Sequence, residues 1–220
     1  MDRILEPELM DDPEQAIAYA KADFQQENQG FVDRFCDYFP EFAAGQCLHI
    51  VDLGCGPGDI PIRLLRRLRH CRITAVDASP PMIQLAEDAI KAAGLRDRIT
   101  LLCRRVQDLT LMEPAHAVIS NSLVHHLPNP FRFWHVLRRL APESAVLVMD
   151  LLRPESPEDA KAVVDRYAAD EPAILRRDFY NSLLAALTED EVAAQLAEMN
   201  LTRLLVDVPD DRHWVVAGRL

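Results

Sequence analysis

The segment Val51-Asp52-Leu53-Gly54-Cys55-Gly56-Pro57-Gly58-Asp59 constrains this chain more than any other. It leaves an apolar, β-branched run, Leu48 to Leu53, and enters a helical pattern beginning at Ile60, the context in which a glycine turn holds a nucleotide-like ligand. Gly54 and Gly56 allow a sharp turn and a close approach of backbone to ligand, and a helix starting near Gly58 offers unpaired N–H groups. The spacing is GxGxG rather than GxGxxG, and Asp59 stands at the last glycine position, where a carboxylate would repel a pyrophosphate. The expected ligand therefore carries no phosphates. Asp77 ends the next apolar run, close to the roughly twenty-residue spacing at which a carboxylate accepts both hydroxyls of a ribose. Together these residues ask for a nucleoside with a positively charged tail.

The surrounding pattern is α/β. Short apolar runs at Leu48 to Leu53, Arg72 to Val76, Ile99 to Cys103, Ala115 to Ser120 and Ala145 to Leu151 alternate with helical periodicity, as in βαβ units closing a parallel sheet buried on both faces. Ile60 to Leu68 puts Ile60, Leu64, Leu65 and Leu68 on one side and Arg63, Arg66, Arg67 and Arg69 on the other. Ser79 is the expected N-cap of a helix that ends at Gly94, and Pro130 opens the helix before the fifth strand. Pro13 to Tyr38 predicts one long amphipathic helix, and residues 155 to 199 predict two or three helices broken near Pro172 and Thr188, where Thr188-Glu189-Asp190-Glu191 is a capping box. Thr202 to Val208 and Arg212 to Gly218 predict an antiparallel hairpin turning at Pro209-Asp210-Asp211.

With VDLGCGPGD at 51–59, AVDAS at 75–79 and VISNSLVHHLPNP at 118–130, the chain resembles the class I S-adenosylmethionine-dependent methyltransferases over most of its length. The resemblance implies a doubly wound, seven-stranded, mostly parallel Rossmann-like sheet of order 3-2-1-4-5-7-6 with a helical lid. Residues 1–46 would be a helical cap, 47–152 the cofactor-binding core, 153–200 the lid insertion and 201–220 the closing hairpin. It implies S-adenosyl-L-methionine as cofactor, with Asp52, Gly54 and Gly56 facing its methionine part, Asp77 its ribose, and Ala78 and Met82 its adenine. Val106 would contribute a backbone N–H to the adenine, Asn121 would lie near the transfer site, and Tyr19 would cover the cofactor from the first helix. Arg105 stands where an acid commonly meets the adenine amino group, with Asp108 as a candidate substitute; His116 stands where an acid often precedes the fourth strand.

The expected activity is methyl transfer to a small-molecule acceptor. The sulfonium methyl is already activated, so positioning supplies much of the acceleration. His125 is the candidate general base, with His126 beside it, although His-His-Leu-Pro also closes this loop in family members with different substrates. Phe24, Tyr180 and Trp214 are either pocket aromatics or core. Two other readings remain: a non-catalytic S-adenosylmethionine-binding protein, and an NAD-dependent oxidoreductase with an unusual fingerprint.

Charge narrows the partners. The net charge is -11, which disfavours docking on nucleic acid, and Asn121-Ser122-Leu123 lacks the motifs of base methylators. Residues 1–46 carry 11 acids against 3 bases and residues 153–200 carry 11 against 5, whereas 47–152 are net +3. The acidity thus belongs to the expected cap and lid, where it either attracts a cationic acceptor or only solvates helix faces. The five cysteines form no CxxC pair and no zinc-type spacing with histidine, so reduced thiols and no metal are expected. No apolar run is long enough to span a bilayer and the N-terminus is acidic, so a cytoplasmic protein is expected, with homodimerisation left open.

Overall fold

The computed structural model describes every residue except 8, 112 and 141. Its centre is a single seven-stranded sheet in the order β3-β2-β1-β4-β5-β7-β6, as the resemblance implies. The strands are β1 (His49–Leu53), β2 (Arg72–Asp77), β3 (Ile99–Cys103), β4 (Ala117–Asn121), β5 (Ala145–Leu151), β6 (Leu204–Asp210) and β7 (His213–Arg219). β1 to β5 pair in parallel, and β7 runs antiparallel between β5 and β6. The helices are α1 (Pro13–Lys21), α2 (Gln25–Tyr38), α3 (Asp59–Arg67), α4 (Pro80–Ala92), α5 (Phe131–Leu140), α6 (Pro157–Tyr167), α7 (Ala173–Ala185) and α8 (Glu189–Glu198).

Alternation along each strand separates two cores. Ile50, Ile119, Leu147 and Val215 join α2, α3 and α4 through Phe31, Phe35, Leu64, Leu65 and Ile90 on one face. Val51, Val118, Val148 and Val216 join α5 and α8 through Phe133, Trp134, Val192 and Leu196 on the other. β1 and β5 are buried throughout, as central parallel strands must be. A third, smaller cluster links Leu151 at the end of β5 to α6 and α7 through Val163, Val164 and Leu183.

Local capping agrees with the sequence. Ser79 Oγ accepts the Met82 N–H, and Thr188 and Glu191 complete the reciprocal capping box of α8. Four expectations change. The long N-terminal helix is two, broken at Ala22–Phe24, where Phe24 becomes the N-cap of α2 and turns its ring toward Tyr19, with centroids 4.8 Å apart. Pro209 and Asp210 belong to β6 and not to the turn, which is Asp211-Arg212. A proline is tolerated there because β6 is an edge strand and the pairing is irregular between Asp207 and Asp210. Trp214 is fully buried in β7 within the α5/α8 core, too far inside the sheet packing to be a pocket aromatic. Finally, the segment 153–200 is not all lid: α6 and α7 stand over the sheet's carboxyl edge, whereas α8 packs into the core, with Trp134 Nε1–H donating to Gln195 Oε1 at 2.8 Å.

His116 also acquires a role. Its Nδ1 accepts the His49 backbone N–H at 3.0 Å, closing the start of β1 in place of a carboxylate. Among the described residues no helix is long and apolar enough to cross a membrane.

Candidate active site

The carboxyl ends of β1, β2 and β4 open onto a cavity of about 610 Å³, at the position where the strand order reverses and doubly wound sheets bind ligands. Its floor is the glycine loop. Gly54 N–H and Cys55 N–H both donate to Val76 O, at 2.8 and 2.9 Å, which locks the turn to the neighbouring strand. Gly54 has φ +79°, and a Cβ there would lie 2.9 Å from Leu123 Cδ1, so its missing side chain makes room for the β4 loop. Gly58, at φ +85°, is the N-cap of α3, and a Cβ there would lie 3.2 Å from Ala86 Cβ of α4. Asp59 is held by Arg63 at 2.6 Å and by Asn28 Nδ2–H at 2.9 Å. A carboxylate therefore stays where a pyrophosphate would have to sit.

Asp77 is positioned as a double acceptor. Its Oδ2 takes the Gly56 N–H and its Oδ1 the Ser79 N–H, each at 2.9 Å, so the glycine loop and the α4 cap orient it toward the cavity it lines. Burial raises its pKa, and these backbone N–H groups oppose the rise. Asp52, one strand away, is 2% exposed and its Oδ2 has no hydrogen-bond partner. Burial first and Asp77 second push it up to about 8. It stands behind the cavity surface, not on it, and so acts on a ligand through its field. At the end of β4, Asn121 lines the cavity and its buried Oδ1 is likewise unpartnered. Two buried oxygens, Asp52 Oδ2 and Asn121 Oδ1, are thus left without a protein donor beside Asp77, an arrangement that disfavours an empty site.

The other expected residues fall around this centre. Ala78 and Met82 form the wall from β2 and α4, and Val106 and Arg105 that from the turn after β3. Asp108 is exposed and does not line the cavity, so it does not replace the missing acid. Tyr19 and Phe24 cover the opening from α1 and the start of α2; burial and then Asp77 and Asp150 raise the Tyr19 hydroxyl to about 12, keeping it a hydrogen-bond donor. Tyr180 lies outside, packed among α6 and α7.

The far end of the cavity is built from distant segments. His125 and His126 sit on a single 3-10 turn after β4 and face α7 residues Leu175, Phe179 and Ser182. Asp150, fully buried near the end of β5, accepts the backbone N–H groups of Leu123, Val124 and His125 through Oδ2 and meets His125 Nδ1 through Oδ1. This buried carboxylate holds the whole loop. The other ring nitrogen of His125 faces Glu6 Oε1 at 3.4 Å. His125, flanked by Asp150 and Glu6, has its pKa raised against its burial, and Asp150 is correspondingly lowered; His126 is pushed down to about 3 by burial and by His125. The N-terminal residues reach this end as a strap. Arg3 donates to the carbonyls of Ala185, His125 and Leu127, and Ile4 N–H donates to Leu184 O at 2.9 Å. On the rim, Arg212 from the hairpin pairs with Glu27 of α2 at 3.0 Å and stacks 3.9 Å over the Tyr167 ring of α6.

Asp150, Glu6 and Arg3 were not singled out from sequence. For Asp150 a signal exists, an acid inside an otherwise apolar central strand that must find donors; for the strap residues none does.

Comparison with known proteins finds similarity chiefly to methyltransferases. A family model described as "Methyltransferase domain" matches residues 50–143. The trans-aconitate 2-methyltransferase of Enterobacter sp. (strain 638) is 30% identical over 124 residues, 54% of this chain and 44% of that protein. The malonyl-[acyl-carrier protein] O-methyltransferase of Priestia megaterium is 32% identical over 77 residues, 35% of this chain and 27% of that protein. The chain thus spans less than half the length of these relatives. Among solved structures, the plantazolicin methyltransferase BpumL in complex with a pentazolic desmethylPZN analogue and SAH superposes with a TM-score of 0.73 at 15% identity, covering 94% of this chain and 90% of that one. A SAM-dependent methyltransferase from Aquifex aeolicus superposes with a TM-score of 0.63 at 17% identity, covering 94% and 98%. Residues 50–143 of this chain are thus similar to a methyltransferase domain, on a fold shared with solved methyltransferases.

Proposed function

We propose that the protein transfers the methyl group of S-adenosylmethionine to a small-molecule acceptor bound between Asn121 and the α6–α7 pair. The observation that carries this reading is the placement of Asp77 and Asn121 on one cavity wall, with unpartnered oxygens on Asn121 and on Asp52 just behind that wall. A ribose diol supplies two donors to Asp77, and a sulfonium with an ammonium group supplies the positive charge that Asp52 and Asn121 lack. A dinucleotide would bring its phosphates against Asp59, which argues against the oxidoreductase reading.

The bound cofactor supplies an activated methyl on a sulfonium. Asp77, Asn121 and the glycine loop would hold that cofactor, whose methyl transfer would leave the C–S electron pair on sulfur and release the acceptor's proton to solvent or a nearby base. The protein's part is to hold the two reactants in line and to keep water out. Tyr19 and Phe24 close one side and α6 and α7 the other. His125, the candidate base, has Nδ1 committed to Asp150 and Nε2 facing a second carboxylate. A ring held this way retains its proton, so we assign it the shaping of the acceptor end and not proton removal.

Calorimetric titration with S-adenosylhomocysteine and with NAD tests the cofactor. Micromolar binding of the former and none of the latter is expected; the reverse would overturn the reading. Formation of S-adenosylhomocysteine across a panel of small acceptors then separates an enzyme from a binding protein, since a sensor would bind the cofactor and turn over none of them.

A further inference from the structure

One cluster beside the cavity has no task in methyl transfer. Glu6 Oε1 lies 3.4 Å from His125 Nε2 and 3.1 Å from His126 Nδ1, and one ligand atom from each of the three residues lies within 4.8 Å of the others. Ligands bound about 2.0–2.1 Å from a tetrahedral Zn²⁺ stand roughly 3.3 Å apart, so the two measured edges already match those of a coordination sphere. Two imidazoles and one carboxylate suit zinc-like ions and disfavour Ca²⁺ or Mg²⁺, which prefer oxygen.

The support behind these atoms points the same way. Asp150 Oδ1 engages His125 Nδ1 and so directs Nε2 at Glu6, where a bound ion would displace the Nε2 proton. Ser182 Oγ lies 3.1 and 3.3 Å from the two Glu6 oxygens and orients the carboxylate. His126 Nδ1 is buried without a hydrogen-bond partner. Consecutive histidines on one turn are here gathered with ring centroids 4.2 Å apart. His125, His126 and Ser182 all line the cavity, so a fourth coordination position would face the acceptor end.

We propose that Glu6, His125 and His126 bind one divalent transition-metal ion of the Zn²⁺ class, which clasps the N-terminal strap to the loop after β4. Three protein ligands leave the fourth position to water or to an acceptor oxygen. The sequence carries no spacing signal for this site, because Glu6 is brought to the histidines only by the strap's bonds from Arg3 and Ile4 to α7 and the β4 loop.

The test uses the full chain carrying Cys47→Ser and Cys103→Ser, which removes the two exposed thiols as competing ligands. Stripped protein is titrated with Zn²⁺ by calorimetry and with Co²⁺ by visible absorption. One equivalent with a Kd of about 10 μM or tighter and the intense visible bands of four-coordinate Co²⁺ are expected. Glu6→Gln and His126→Ala should each weaken binding by about a hundredfold or more, and Ser182→Ala by roughly tenfold. Zn²⁺ should raise the unfolding temperature of the parent and not of Glu6→Gln. S-adenosylhomocysteine affinity, read in the same samples, shows that the variants are folded and keeps this result separate from the cofactor assignment. No binding at about 100 μM metal, binding indifferent to Glu6→Gln and His126→Ala, or binding lost with the two thiols would each overturn the proposal.

Discussion

The two ends of the cavity are made in different ways. The glycine-loop end is assembled from two short stretches, 51–59 and 77–82, largely through backbone: Gly54 and Cys55 lock onto Val76, and Gly56 and Ser79 orient Asp77. The acceptor end is assembled from residues 3–6, 123–127, 150 and 175–182, joined by one buried carboxylate and a strap. The first can be specified by local spacing alone, whereas the second exists only once remote segments have converged. A family can therefore keep one end and rebuild the other.

That contrast can be broken by mutation. The largest effect is expected from Asp150→Asn, which weakens several buried hydrogen bonds at once and deprives His125 of its anionic partner. Urea unfolding should show a loss of about 3–5 kcal/mol, while the folded protein retains its S-adenosylhomocysteine affinity within a factor of about two to three. An equal loss of cofactor affinity would mean that the two ends are not separable. Asp77→Ala is the converse: cofactor affinity should fall by about 1.5–3 kcal/mol, the scale of hydrogen bonds to a charged group, with the acceptor end intact. Unchanged affinity by calorimetry would remove the ribose assignment.

A third effect is electrostatic. Asp52, pushed up to about 8, is mostly protonated at neutral pH in the ligand-free protein, with Asp77 and Cys55 as its titratable neighbours. A cationic ligand favours the ionised form. Affinity for S-adenosylmethionine should therefore rise between about pH 6 and pH 8, by up to about tenfold per unit for one released proton. Calorimetry in buffers of different ionisation enthalpy counts that proton, and Asp52→Asn should flatten the dependence. The sign for folding is opposite: the native state binds the Asp52 proton more tightly than the unfolded chain, so this residue's contribution to ligand-free stability falls as pH rises from 3.8 toward about 8. Tyr19→Phe should do least, a loss below about 1 kcal/mol in cofactor affinity, because the ring and its contact with Phe24 remain.

Much of the fold was legible because its signals are local. β3 and β5 run where the apolar pattern places them, and Ser79, Gly94 and Thr188 punctuate the helices as expected. The errors came where tertiary contacts overrule pattern. A continuous apolar stripe from Ala16 to Phe35 read as one helix, yet the chain bends at Ala22–Phe24 so that α1 and α2 can both flank the opening. α7 and α8 both fall in the segment expected to be lid, and only the sheet's exposed flank decides that α8 joins the core while α7 lines the cavity.

By itself, the sequence determined the doubly wound order of elements, the glycine turn and the place of Asp77 at the end of the second strand, since each depends on strand periodicity or on spacing within about thirty residues of a βαβ unit. The tertiary structure alone decided that Asp52 and Asn121 keep unpartnered oxygens, that Asp150 anchors the His125 loop, and that Glu6 meets both histidines. The physical reason is that burial and long-range convergence set the cost of a charge and the identity of its partners, and neither is written in any one stretch of chain.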